Sequence, residues 1–185
     1  LTCLGDRGGF SYLKSRWGDR VVDRLTPHVL NHAAGECHLY DWLQRGSDER
    51  QYCWPGVNLP MGCLMRTKYG EYPEYHTSGD NLDFICPAAL AESVQMTLRC
   101  LDAFEQNICY QATTMGEPQL GKRGLYPTLS TRDAGRTART MVNLLAYSDG
   151  ETDLLAIAEK LQMPIWELHQ LVPTLCSHQL LKANP

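Results

Sequence analysis

The stretch "ARTMVNLLAYSDGETDLLAIAEKLQMPIWELHQLVPTLCSHQLLKANP", residues 138–185, sets the architecture of the C-terminal part of the chain. It contains three helical patterns, "ARTMVNLLAYS", "DLLAIAEKLQ" and "IWELHQLVPTLCSHQ". Their Leu, Ile and Ala residues recur at helical spacing, as a tight trihelical core requires. Asp149-Gly150 predicts a turn after the first helix, Asp153 can cap the second, and Pro164 can open the third. The closing "LLKANP" reads as a short strand. Three short helices followed by a strand are a winged-helix pattern.

Upstream, "GKRGLYPTLSTRDAGRT" (121–137) is polar and turn-rich, a linker that divides the chain into residues 1–126 and 127–185. In the first part "LTCL" predicts a buried strand emptying into a loop at Gly5-Asp6. The absence of an opening Met suggests a C-terminal fragment of a longer protein. Val21, Val22, Leu25 and Val29 keep helical spacing, with Pro27 expected to kink or restart the helix. "CHLYDWL" (37–43) alternates as a strand does. From Gln44 to Asp80 the chain is rich in Gly, Pro and polar residues, and loops of such length inside a domain tend to be functional. Pro87 can then start a long helix whose apolar face carries Leu90, Val94, Leu98, Leu101 and Ile108.

At 185 residues the chain can bury one full core, or one core and a small satellite. Hydrophobic residues at 43% and charged residues at 21% describe a soluble globular protein. A net charge of −4 gives no global electrostatic footprint for nucleic acid or an anionic membrane. No run of apolar residues is long enough to span a bilayer, and no signal peptide opens the chain. The eight cysteines include no C-x-x-C pair. They read as small buried hydrophobes in a reducing cytosol, which places the protein in the cytoplasm.

Three polar segments could carry chemistry: Asp6, "GSDERQ" (46–51), and "GEYPEYHTSGDNLDF" (70–84) with His76 and Asp80. Each follows an apolar stretch, and loops at the carboxyl ends of strands in an open α/β sheet converge on one crevice. Carboxylates, an imidazole, a cation and hydroxyls together are what a hydrolytic metal site needs. Solvated turns would leave the same residues in sequence, and spacing alone does not choose between the two.

"EYHTSGDNLDF" resembles the Tyr-His-Thr-x-x-Asp segment of the co-catalytic zinc aminopeptidase superfamily, which also contains the glutaminyl cyclases. "GSDERQYCWPGVNLPMGCLMRT", "EPQLGKRGLYP" and "YSDGETDLLAIAEKL" are similar to a narrower group of bacterial proteins. Those carry an aminopeptidase-like domain and a C-terminal winged helix-turn-helix, and some are labelled polysaccharide-biosynthesis proteins. The resemblance implies an α/β fold with a mixed sheet, the first domain being the C-terminal part of an aminopeptidase-like body. It implies zinc, with His76 as the last ligand and Asp6 as the matching acidic ligand. Asp48 and Arg50 would bind substrate, because Glu49 stands where relatives carry a histidine beside the metals. Tyr75 and Asp80 would support His76 from behind, Asp80 also being able to cap the turn. The reaction implied is attack of a metal-activated water on a peptide or amide bond at an N-terminus, with a glutamate moving protons. That glutamate, an earlier histidine and a bridging aspartate belong to segments ahead of Leu1, so no catalytic residue is assigned here and the chain alone is expected to be inactive.

Other residues read as structure. His28 and His32, at i and i+4, could hold zinc, yet no acidic partner shares their face, so a packed or solvated pair is expected. The tryptophans read as packing, and Lys122-Arg123 as a basic linker. Two alternatives to the hydrolase stay open: a relative that binds a peptide or metabolite without cleaving it, and a winged-helix sensor that reads DNA. The third helix offers no Lys or Arg to phosphates, so protein is the expected partner of the winged helix.

Overall fold

In a computed structural model, residues 1–125 and 132–184 are described. The chain divides into two compact units, Leu1–Asp102 and Ala103–Pro185. The boundary expected at 126/127 lies outside the described residues. The division falls earlier because a strand at 109–112, unnoticed in sequence, is the centre of the second unit's sheet.

The first unit is built on a three-stranded sheet in the order β2-β1-β3, comprising β1 (Ser11–Leu13), β2 (His38–Tyr40) and β3 (Cys63–Met65). β1 runs parallel to β2 and antiparallel to β3. The parallel pair requires a crossover, and α1 (Val21–Ala34) supplies it. Leu25, Val29 and Leu30 bury one face of α1, while Tyr12, Leu13 and Met65 fill the sheet's side of the core. Asp23 ties β1's exit to α1: its carboxylate accepts from the Ser15 N–H at 2.6 Å and the Arg20 N–H at 3.1 Å. α1 runs unbroken through Pro27, which is buried with its neighbours. Packing on both sides of the proline offsets the one backbone bond it removes.

"LTCL" does not become a regular strand. It lies beside β3, where Thr2 N–H donates to Leu64 O at 3.3 Å and Arg66 N–H to Cys3 O at 3.0 Å. A φ of +48° at Cys3 breaks the extended run between these two bonds. "CHLYDWL" is strand only to Tyr40, because Asp41 caps a 3-10 turn (Trp42–Gln44) by accepting from the Leu43 N–H.

α3 (Pro87–Glu105) begins at Pro87 as expected, but the opposite face points inward. Ala89, Ser93, Met96 and Cys100 are buried, whereas Leu90, Val94, Leu98 and Leu101 are 41–59% exposed. Polar anchoring decides this orientation: Ser93 Oγ donates to Leu4 O at 2.9 Å, and the buried Arg66 donates to Ala89 O at 3.2 Å. The helix ends before Ile108.

The second unit has the sheet order β5-β4-β6, all antiparallel, from β4 (Cys109–Ala112), β5 (Asp149–Asp153) and β6 (Leu181–Asn184). With it go α4 (Arg132–Tyr147), α5 (Leu154–Leu161) and α6 (Ile165–Ser177). Their core is Leu144, Leu154, Leu155, Ile157, Ile165, Leu168 and Leu175, all fully buried. The three helices and final strand stand in the order the sequence predicts, and Asp153 caps α5 by accepting from the Ala156 N–H at 2.7 Å. Asp149-Gly150 forms a bulged strand start in place of a free turn. Gly150 has φ +89° there, and a Cβ would come within 3.4 Å of Asn184 Nδ2. No helix among the described residues is long and apolar enough to cross a membrane.

Candidate active-site cavity

In the first unit, the N-terminal segment, the start of α3 and the loop 70–84 border an open cavity of about 470 Å3. His76, Asp6, Asp80 and Tyr75 all line it, together with Cys3, Tyr72 and Phe84. Four of the six residues singled out by resemblance thus meet on one surface. Asp48 and Arg50 are exposed at the start of α2 (Glu49–Tyr52) and are not among the residues lining this cavity.

The loop holds its shape by consecutive turns. Thr77 N–H donates to Glu74 O at 3.0 Å, Thr77 Oγ1 donates to the same carbonyl at 2.7 Å, and Asp80 N–H donates to Thr77 O at 3.2 Å. His76 sits between these bonds with φ +59°, in the left-handed region. A β-carbon costs roughly 1–2 kcal/mol in that conformation, so the surrounding turns must hold it there. Its ring stacks on Tyr75, with centroids 3.9 Å apart and planes at 17°. Tyr75 in turn meets Tyr72 edge to face at 5.5 Å, and Tyr72 stacks on Phe84 at 5.3 Å. Such pairs orient rings as well as bury them. The loop closes onto the N-terminal segment through Cys86 N–H, which donates to Gly5 O at 2.8 Å.

The carboxylates of the cavity differ in freedom. Asp6 is buried, accepting from the Gly8 N–H at 2.6 Å, from Thr67 Oγ1 at 2.7 Å and from the Thr67 N–H at 3.2 Å. Asp80 is exposed, and its carboxylate accepts no hydrogen bond among the described residues. The turn is capped instead by the Thr77 hydroxyl, which also accepts from the Gly79 N–H at 3.1 Å. Burial first, then the hydrogen bond to Cys3 and the charge on Asp80, push the Tyr72 phenol up, so it stays neutral. Its hydroxyl lies 3.6 Å from Cys3 Sγ.

Glu49 is the residue that sequence reasoning undervalued. Its Oε1 accepts from the Gly46 N–H at 2.8 Å, the Ser47 N–H at 2.9 Å and the Tyr69 hydroxyl at 3.0 Å, and the side chain is fully buried. Its Oε2 has no hydrogen-bond partner among the described residues. Burial pushes the carboxyl up, but the Ser47 and Gly46 N–H groups and the Tyr69 hydroxyl outweigh it and hold the group below the usual glutamate range. Gly46 is required here, since a Cβ would approach Tyr69 Cε2 to 2.6 Å. The spacing G-S-x-E, with a carboxylate two to three residues after small residues, was the available signal. Cys63 shows the same environment: burial, and the charges of Glu49, Cys3 and Asp48, push its thiol to about 11.

An imidazole and a carboxylate on one cavity are donors zinc accepts. Among the described residues, however, no group of three or more His, Cys, Asp or Glu stands close enough to hold a metal ion. His76 and Asp6 therefore fit zinc in kind and not in number. His28 and His32 pack ring against ring at 4.5 Å on α1, with His28 buried and pushed down to about 4 by burial, then by His32 and Arg24.

Residues 1–107 match the family model for a domain of unknown function, DUF4910, and residues 107–183 match a winged helix-turn-helix model. A curated protein from Clostridium acetobutylicum, described provisionally as a polysaccharide biosynthesis protein with an aminopeptidase-like domain, is 38% identical over 183 residues. A crystal structure from the same species, described as a candidate peptidase, is 37% identical with a TM-score of 0.88. Both matches cover 98% of this chain, which spans 42% of the first protein and 40% of the second.

Proposed function

Because the chain belongs to the DUF4910 family and ends in a winged helix-turn-helix, we propose that it forms the substrate-facing part of a zinc aminopeptidase-like hydrolase acting on a peptide or amide N-terminus. The observation that carries this reading is the shared cavity: His76, held in a left-handed conformation, and buried Asp6 line one surface. His76 and Asp6 are the residues that would hold zinc, with further ligands from outside the described residues. Zinc bound there would polarise the scissile carbonyl and lower the pKa of a water. The chain's own residues do the rest. Thr77 and Tyr75 fix the imidazole's direction, and Thr67 fixes Asp6.

The hydrolase so assembled is cytoplasmic, consistent with eight free cysteines. The chain by itself is inactive, with two ligands where zinc normally takes three or four from protein. Zinc content of a longer polypeptide carrying this sequence tests the reading. His76→Ala should lower it by one metal per chain, and equal zinc in both forms would remove the assignment.

The winged helix docks on protein. α6 carries no Lys or Arg, and its Glu167, which pairs with the exposed Arg136 at 2.9 Å, adds negative charge to that face. Neutralised phosphates dominate DNA affinity, so a helix without cations forfeits that attraction. Sequence-selective DNA binding should be absent in a mobility-shift experiment at physiological salt. Nanomolar binding there would reverse the reading.

A further inference from the structure

A second open cavity of the first unit, about 420 Å3, is bordered by the last turn of α1 and the middle of α3. Its charged groups are Arg66, Arg99, Glu36 and Glu92, and none of them enters the hydrolase reading. Arg66 stands out, because its guanidinium is only 8% exposed. Its Nε donates to Gly8 O at 2.8 Å, its Nη1 donates to Ala89 O at 3.2 Å, and the Phe10 ring lies against it at 4.6 Å. Those partners carry no net charge. The anion it meets is Glu92, whose side chain is 62% exposed and offers one oxygen, Oε2, to both Nη1 and Nη2 at 3.2 Å. A guanidinium fork matches two carboxylate oxygens, each at about 2.8 Å. A buried cation balanced by one long, shared contact to a solvent-exposed side chain is a site held by a replaceable anion.

We infer that this cavity binds a small monocarboxylate, its two oxygens meeting the Arg66 fork and Arg99 in place of the Glu92 side chain. The lining sets the rest of the ligand. Ala33, Ala34 and Met96 offer an apolar wall for a short aliphatic chain. Glu36 and the carbonyl end of α1 place negative charge beside that wall, so a second acid on the ligand is disfavoured. Glu92 is then a built-in competitor, an internal carboxylate that occupies the fork when no ligand does. The inference goes beyond the hydrolase reading and is independent of zinc at His76 and Asp6. Arg66 nevertheless lies two hydrogen bonds from Asp6: Gly8 O accepts from Nε, and the Gly8 N–H donates to Asp6 Oδ1 at 2.6 Å. The Gly8 amide therefore reports occupancy.

The test is amide chemical-shift titration of the 185-residue chain with butyrate, butyramide and succinate, at ionic strength held constant with sodium chloride. Butyrate should shift Gly8, Gly9 and residues 92–99 in the millimolar range. Butyramide, similar in size and uncharged, should bind at least about tenfold more weakly. Succinate should also bind more weakly than butyrate. Glu92→Gln, at an exposed position, removes the competing charge and keeps an acceptor for Arg66, so it should tighten butyrate about threefold to fivefold. Arg99→Gln should loosen it by about the same factor. A gain of affinity from Glu92→Gln separates a ligand site from an ion pair that only stabilises the fold, and the thermal midpoints of both variants check that the fold is kept. Equal binding of butyramide, succinate binding more tightly than butyrate, shifts elsewhere on the chain, or no effect of Glu92→Gln would overturn the inference.

Discussion

The two polar loops of the first unit are alike in sequence and opposite in construction. Residues 46–52 are pinned from inside by Glu49, a buried carboxylate that accepts from two backbone N–H groups and a phenol. Residues 70–84 are pinned by turns and ring stacking, and leave His76 and Asp80 facing outward. The same residue types therefore serve as scaffold in one loop and as available chemistry in the other. What separates them is which acid is desolvated and already paired.

Removing the pin of the first loop should have the largest effect. Glu49→Ala leaves the Gly46 and Ser47 N–H groups and the Tyr69 hydroxyl without their acceptor, at a cost of about 3 kcal/mol, on the order of 1 kcal/mol each. A urea denaturation midpoint measures it. A loss under about 0.5 kcal/mol would erase the contrast between the loops. The pH sign follows from the same contacts. Glu49 is held below the usual range in the folded state, so its contribution is present above the unfolded value and is lost as pH falls through the folded one.

Buried and exposed histidines extend the comparison. His28 is held down to about 4, against an unfolded value of 6.5, chiefly by burial. Its neutral form is the folded one, so the unfolded chain binds the extra proton and stability falls as pH drops from about 6.5 towards 4. The full shift corresponds to about 3 kcal/mol; because solvent screens the partly accessible ring, the loss should reach about 2 kcal/mol, and His28→Leu should flatten the curve in that window. A variant with the same acid limb as the parent chain would mean that His28 is not the group responsible.

Effects in the second loop should be smaller in stability and larger in binding. Tyr75→Ala removes the stacking on His76 and should cost about 1 kcal/mol, read from the thermal midpoint. His76→Gly should change stability least, within about 0.5 kcal/mol, because relief of the positive φ offsets the added freedom of the unfolded chain. A loss above about 2 kcal/mol from His76→Gly would show that His76 is structural, like Glu49.

The winged helix was legible because its signals are local: Asp153 caps, Pro164 starts, and apolar residues recur at helical spacing. β1 and β4, the centres of their sheets, were not, being three and four residues long with every partner distant in sequence. α3 was found, but not its inward face, since an apolar stripe misleads when Ser93 and Arg66 do the anchoring. At the site, a contiguous motif brought out His76, Tyr75 and Asp80, and the structure adds Asp6 to the same cavity. Glu49 passed as a replaced ligand because the G-S-x-E spacing shows that a carboxylate can reach the backbone ahead of it, but not that Tyr69 and burial hold it there. Tyr72 and Phe84, also in the motif, carry no charge and became visible only as cavity walls.

The central claim is that His76 belongs to the working surface of a metal-dependent hydrolase and that this chain holds only part of that surface. An aminopeptidase assay on aminoacyl amides, with zinc supplied, tests it when run on the 185-residue chain and on a longer polypeptide carrying it. Zinc-dependent turnover by the longer protein, abolished by His76→Ala and absent from the chain alone, is the predicted result. Turnover that survives His76→Ala, or a longer protein that neither holds zinc nor cleaves any amide, would contradict the account.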